Sequence, residues 1–184
     1  ASYGVPVVIT RASNNYGPNQ YPEKLIPLFV TNAIDDLPLP LYGDGKNVRD
    51  WLFVRDHAAA IDFLLNAGRP GEAYNIAGGN EAENIAITKE VLKQLAKPES
   101  LIRFVDDRPG HDRRYSLDAS KLAALGFSPS TRFADGLAET VRWYRDHEEW
   151  WRPIKERDAT YREFYRSQYE RRLATSSSTA KPPG

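Results

Sequence analysis

The 184-residue chain contains no cysteine and no methionine. Without cysteine there are no disulfides and no thiolate metal sites, and with the redox compartment unmarked the cytoplasm is the default location. Net charge is absent too, because 25 Lys and Arg balance 25 Asp and Glu. A chain with no overall field has no global attraction for nucleic acid or an anionic membrane, so any anion site must be local. Long apolar runs are also missing: Pro6 to Ile9 and Leu25 to Val30 are far shorter than the ~20 residues that cross a bilayer. No basic-then-apolar leader opens the sequence, so a soluble protein is expected.

Several catalytic signatures are lacking as well. Gly43-Asp44-Gly45 follows no buried strand and has no third glycine, so it is not a dinucleotide fingerprint. There is no Gly-x-Ser-x-Gly elbow and no HExxH, and three scattered histidines make no local metal motif. Tyr42 to Lys46 fits the spacing of a Tyr-x-x-x-Lys acid/base pair, but that pair needs a helix. Two glycines around an aspartate make a turn instead. No catalytic residue and no metal site are therefore assigned.

What is present has the rhythm of an α/β protein. Val7-Val8-Ile9 is a β-branched run of the kind that is buried on both faces in a parallel sheet. A parallel strand needs neighbours reached through crossovers, and nothing precedes this one. The missing methionine agrees, although removal of an initiator Met before Ala1 would look the same. The reading is a C-terminal piece of a larger α/β protein. "NNYGPNQYPEK" is a loop, Glu23 to Ala33 a short helix, and "LPLPLYGDGKNVRDWLFVRD" two extended pieces joined by a tight turn. Helical spacing returns from Asp56 to Leu65, with Ala59 and Phe63 on one face. "GEAYNIAGG" reads as a strand ending in glycines, Thr88 to Leu95 as a helix with Ile87 and Val91 inward, and Leu101 to Val105 as a strand. A helix from Asp118 to Leu125 ends at Gly126. Phe133 to Trp151 reads as one long amphipathic helix, Arg152 to Leu173 as another, and "ATSSSTAKPPG" as a disordered tail.

The candidate site residues are polar and concentrated in loops. Asn14-Asn15, Glu23-Lys24, Arg49-Asp50-Trp51, Asn84 and the run from Arg108 to Arg114 carry them. Arginine offers a planar fork that matches phosphate oxygens, lysine a point charge, and asparagine a donor and an acceptor for sugar hydroxyls. His111 can donate to phosphate or hydroxyl. Each has an ordinary alternative: Arg49-Asp50 as a surface ion pair, Asn14-Asn15 as a cap or turn.

Four blocks, "RASNNYGPNQYPEKLIP", "LPLYGDGKNVRDWLFVRDHAAA", "YNIAGGNEAENI" and "DDRPGHDRRYSLDASKL", resemble the ordered motifs of the dTDP-glucose 4,6-dehydratases. These are extended short-chain dehydrogenases/reductases. The likeness is colinear from the first strand to about Trp151. Related UDP-glucuronate decarboxylases and epimerases share the Asn-x-Tyr-Gly-Pro and Tyr-Gly-Asp-Gly themes, whereas "PEKLIP" and "RPGHDRRY" resemble the dehydratases.

The resemblance implies a fold and a division of labour. The chain would be the C-terminal part of a Rossmann-type enzyme, with a small α/β substrate-binding lobe over residues 1–173 and a disordered tail over 174–184. Asn14 would lie by the sugar and Asn15 by the nicotinamide of NAD. Lys24 and Leu25 would contact the substrate, Pro40, Leu41 and Tyr42 would meet the nucleotide, and Arg49, Asn84, Arg108 and His111 would hold the diphosphate and its ribose. The family's NAD-binding domain, Thr-Asp-Glu stretch and Tyr-x-x-x-Lys helix are not in this sequence. The implied partner is a nucleotide-diphosphate sugar such as dTDP-glucose, in a homodimeric lyase that oxidises C4, eliminates water across C5 and C6 and returns hydride to C6. This chain alone is expected to be inactive. Two other readings stand beside it: a decarboxylase or epimerase of the same superfamily, and a non-catalytic nucleotide-sugar-binding module.

Overall fold

The computed structural model describes residues 4–178. Three groups of strands carry the architecture. Strand β1 (Ile9–Ala12) runs parallel to β5 (Ala73–Ile76), and β3 (Leu39–Tyr42) runs parallel to β7 (Ile102–Val105). The third group is built on β4 (Val48–Phe53). Its second half pairs in parallel with β2 (Asn14–Tyr16), while Val48 to Asp50 is flanked by β6 (Glu81–Glu83), antiparallel, and by β8 (Arg114–Tyr115), parallel. Arg49 therefore sits where three chain segments converge.

Helices pack between and around these strands. Helix α1 (Leu25–Ile34) is buried from Ile26 to Ala33, as a helix enclosed on all sides must be. Burial of Ile26, Leu28, Phe29 and Val30 contributes on the order of 1.5–3 kcal/mol each. Its polar members are satisfied internally, with Thr31 Oγ1 donating to the Pro27 carbonyl at 2.8 Å and Asn32 Nδ2 to the Pro38 carbonyl at 2.8 Å. Helix α3 (Asn84–Gln94) points Ile87 and Val91 inward, as its spacing predicts. Helix α2 (Val54–Ala67) turns Ala60 and Leu64 onto Leu52, Tyr74 and Ile76. The predicted face through Ala59 and Phe63 is thus displaced by one residue, because Asp56 on the inward stripe accepts from the Ser130 and Thr131 N–H groups and fixes the helix rotation. Helix α4 (Ser120–Ala124) ends at Gly126, which has φ +100°.

Several boundaries differ from expectation for local reasons. Strand β1 begins at Ile9, and Val5, Val7 and Ile9 are exposed rather than buried on both faces, since among the described residues only the face of Val8 and Ala12 packs against the core. The two pieces flanking Gly43 to Gly45 are extended, yet they pair with β7 and β2 rather than with each other. The expected helix from Phe133 to Trp151 is two, α5 (Phe133–Asp146) and α6 (Glu148–Arg157). His147 leaves helical geometry at φ −130°, its ring meets the Trp143 carbonyl at 2.9 Å, and Glu148 and Glu149 suit the positive start of a new helix. Likewise Asp158 caps α7 (Ala159–Tyr165), accepting from the Thr160 and Tyr161 N–H groups at 2.8 and 3.1 Å, so Arg152 to Leu173 is not continuous. A π-helical turn (Arg166–Glu170) then leads into α8 (Arg171–Ser178). The expected tail from residue 174 is thus helical to Ser178, and the rest of it lies outside the described residues. Among the described residues no helix is long and apolar enough to cross a membrane.

Candidate functional site

A cleft of about 370 Å³ opens between the β3–β7 pair and the strand group built on β4. Strand β2 brings Asn14 to it, and the entry of α1 brings Lys24, Leu25 and Phe29. Pro40, Leu41 and Tyr42 come from β3, Arg49 and Trp51 from β4, and Asn84 from the first turn of α3. Arg108 and His111 descend from the loop after β7, and Phe164, Gln168 and Tyr169 close the far side. Ten of the eleven residues singled out in the sequence therefore line one space.

The turn between β3 and β4 shows how the backbone makes that space. Gly45 donates its N–H to the Tyr42 carbonyl at 3.0 Å, and Gly43 and Gly45 have φ of +56° and +71°. A Cβ on Gly45 would stand 2.6 Å from Leu41 Cδ2, so only glycine fits without shifting a cleft residue. Tyr42 to Lys46 is thus a turn and not a catalytic helix, as the composition indicates.

Charge in the cleft is uncompensated on one side. Arg49 is 9% exposed, and its guanidinium donates to the Val48 and Asp112 carbonyls at 2.7 and 2.8 Å. Burial pulls its pKa below the ordinary arginine value, attraction to Asp112 and Asp107 opposes this, and repulsion from Arg108 adds to it. Neither the Arg49 nor the Arg108 side chain forms an ion pair among the described residues. The surface-pair reading of Arg49-Asp50 does not hold. Successive strand residues face opposite ways, and Asp50 instead accepts from the Gly78 and Asn80 N–H groups at 2.8 and 2.7 Å. Two polar atoms on the cleft wall, Asn84 Oδ1 and Trp51 Nε1, are buried with no partner. An acceptor and a donor left in this state are costly unless a ligand engages them.

His111 is held rather than free. Its Nδ1 lies 2.7 Å from Asp107 Oδ1, its side chain is 6% exposed, and its ring meets Tyr42 edge-on at 5.9 Å. Burial alone would raise the Asp107 carboxyl, but hydrogen bonds from His111 and the Arg108 N–H outweigh it and hold the group below the usual range. Lys24 pairs with Glu23 at 2.7 Å at the exposed rim.

Asn15 is the residue that stands apart. It does not line the larger cleft but an adjoining smaller cavity, which it shares with Asn14, Lys24, Leu25 and Trp51 of the cleft and with Gln20 and Ile26. Its Nδ2 donates to the Ser13 carbonyl at 3.0 Å and its Oδ1 faces His57 Nδ1 at 2.8 Å. Both asparagines lie in a strand, so the cap-or-turn alternative fails for them.

Residues 1–140 match the family model described as GDP-mannose 4,6 dehydratase. The chain belongs to this family. Curated family members similar to it include dTDP-glucose 4,6-dehydratases from Streptomyces niveus, 54% identical over 158 residues, and from an Actinoplanes strain, 56% identical over 151 residues. These alignments cover 85% and 82% of this chain but 47% of each relative. The chain thus spans about half the length of the curated family members it matches. Among solved structures, dTDP-glucose 4,6-dehydratase from Bacillus anthracis in complex with NAD is 54% identical with a TM-score of 0.79, covering 84% of this chain and 49% of that one. UDP-glucuronic acid 4-epimerase from Bacillus cereus, in complex with UDP-glucuronic acid and NAD, is 27% identical with a TM-score of 0.74 and covers 78% of this chain and 46% of that one. The parallel-strand α/β fold is that of the extended short-chain dehydrogenases/reductases.

Beyond the family motifs, the sequence reading missed several lining residues. Phe29 is legible afterwards as the neighbour of Leu25 at i+4. Phe164, Gln168 and Tyr169 carry no such signal, because their segment reads as ordinary charged-aromatic helix.

Proposed function

We propose that this chain supplies the nucleotide-sugar-binding half of a dTDP-glucose 4,6-dehydratase. The observation that carries the reading is convergence. Ten residues from six separated stretches of sequence line one cleft, and two arginines there form no ion pair within 4 Å among the described residues. A planar cation beside a second cation is the local answer to the missing net charge, and a diphosphate is the ligand whose charge and oxygen spacing suit it. In this reading Arg49 and Arg108 clamp the diphosphate, with His111, fixed by Asp107, donating alongside. Asn84 Oδ1 accepts from a ribose hydroxyl, and Pro40 to Tyr42 with Leu25 form the apolar bed of the base. Asn14 and Lys24 meet the hexose. High identity to dehydratases, against 27% for the epimerase, favours dehydration over epimerisation.

NAD fits this chain at one point. Asn15 has its amide held by Ser13 and His57 in the smaller cavity that adjoins the cleft, and in this reading it meets the nicotinamide end of NAD. When bound, NAD supplies hydride acceptance and return, while the residues described here bind and orient the sugar. We further propose that the whole enzyme is cytoplasmic and homodimeric, an arrangement that the exposed Ile61 and Leu65 on α2 would serve as buried surface. The test is calorimetric titration of dTDP into the chain, with UDP as comparator. Saturable dTDP binding that Arg108→Ala weakens is expected, and heat traces that Arg49→Ala and Arg108→Ala leave unchanged would overturn the reading.

A further inference from the structure

Beside the cleft, toward the C-terminal end of α1, lies a second cavity of about 330 Å³ between α1, α6, α7 and the π-helical turn. Its size is within the range of small-molecule sites. Lys155 from α6 forms its inner wall, Tyr161 and Tyr165 stack as a flat side at 6.1 Å and 21°, and Arg162 and Arg166 stand at the rim with Glu170. Three cations thus face one carboxylate. That carboxylate is only loosely engaged, with Arg166 Nε 3.8 Å from Glu170 Oε2, and Arg162 forms no ion pair among the described residues.

The polar atoms in the wall are incompletely satisfied. Lys155 Nζ donates to Asn32 Oδ1 at 3.0 Å and Thr31 Oγ1 at 3.3 Å, both neutral, while the nearest carboxylate, Asp35, is 3.7 Å away and already paired with Arg152 at 2.9 Å. Burial lowers this lysine to about 8, attraction to Asp35 partly offsets that, and repulsion from Arg152 reinforces it. The ammonium is therefore a largely buried charge that shares its one carboxylate, Asp35, with Arg152. Tyr161 is 3% exposed, and its hydroxyl is buried with no hydrogen-bond partner. Burial also raises its pKa, so it stays protonated and able to donate.

We propose that this cavity is a second ligand site, distinct from the nucleotide cleft, for a small organic anion carrying a flat apolar ring. The ring lies against Tyr165 and Leu37, and the anionic group takes the Lys155 ammonium and the Tyr161 hydroxyl. An aryl carboxylate and an aryl phosphate present the same chemistry. Titrating benzoate and phenyl phosphate separately into the chain, with benzyl alcohol as the uncharged analogue, distinguishes them. Saturable binding of at least one anion is expected, with benzyl alcohol weaker by roughly tenfold or more, the scale of a charge-assisted hydrogen bond. Lys155→Met should lose a comparable factor. Because that change could disturb α1, Tyr161→Phe provides an isosteric check and should weaken binding severalfold while leaving the thermal midpoint in place. Saturating dTDP should not displace the anion, and Arg49→Ala should not affect its binding. No saturation at millimolar anion, displacement by dTDP, or equal affinity in the parent, Tyr161→Phe and Lys155→Met proteins would overturn the assignment.

Discussion

The two ends of the loop from Asp106 to Asp118 both carry arginine and aspartate, and these have opposite fates. At the C-terminal end, Arg113 forms a bidentate pair with Asp44 at 2.7 and 3.1 Å, and Arg114 forms another with Glu81. At the N-terminal end, Arg108 has no such partner and His111 is tied to Asp107 beside the cleft. One half of the charge staples the loop to the β3–β4 turn and to β6, and the other half is left for something else. A run of like residues is thus divided by geometry into cations paired to other elements and a cation that lines the cleft. The division rests on whether an acidic side chain from another element lies within reach.

The largest effect expected from testing this contrast is at Arg49, which belongs to the binding set but also holds backbone. In the whole enzyme, Arg49→Ala should reduce kcat/KM by roughly ten- to more than hundredfold, the consequence of losing a contact of about 1.5–3 kcal/mol to a charged group. It should also cost about 1 kcal/mol of stability, because the bonds to the Val48 and Asp112 carbonyls go with it. Steady-state kinetics and denaturant melts on the same protein give both numbers.

Arg108→Ala comes next, with a similar loss in kcat/KM and a stability change under about 0.5 kcal/mol, since Arg108 is exposed and forms no ion pair among the described residues. Arg108→Lys should recover part of the activity, because an ammonium keeps the charge without the planar fork. Two near-neutral variants would show that both ends of the loop are merely solvated. At the stapled end, Arg113→Ala and Arg114→Ala should change kcat/KM less than about twofold and lower the thermal midpoint slightly, an effect that added salt diminishes.

Acid provides the finest cut. Hydrogen bonds from Arg113 and from the Lys46 N–H hold Asp44 at about 2, below its ordinary 3.8. A carboxylate depressed by folding stabilises the fold above its unfolded pKa and loses that contribution as pH falls toward the folded value. The difference in thermal midpoint between the parent and Arg113→Ala should therefore close between about pH 4 and about pH 2. A gap that persists unchanged at pH 2 would mean that the Asp44 pair does not stabilise the loop.

Much of this was legible because it is local. The helix with Ile87 and Val91 inward, the glycine turn after Tyr42 and the glycine end of α4 follow from spacing and backbone preference alone. The residues that line the cleft together were singled out through motif resemblance, which carries spatial information that no single residue has. What stayed hidden depends on distant partners. Which arginines of the loop are paired is decided by Asp44 and Glu81, 69 and 33 residues away in sequence. The break at His147 depends on a side-chain contact to the Trp143 carbonyl, and the inward face of α2 depends on Asp56 reaching Ser130 and Thr131. Val7 and Ile9 are exposed because, among the described residues, no element packs on their face, which a β-branched run cannot report.

The far wall of the cleft has a consequence for how its selectivity can change. Phe164, Gln168 and Tyr169 lie beyond residue 140, where the family match ends, whereas Arg49 and Arg108 lie well within it. Tyr169 packs on Tyr42 at 5.7 Å, and Arg172 lies over the same ring at 5.1 Å, so this segment leans on the bed of the site without touching the arginine clamp. The cleft is in that sense modular. An engineer could exchange the stretch from Asp158 onward to reshape what is admitted, while the anion-holding machinery and the strands beneath it keep their sequence.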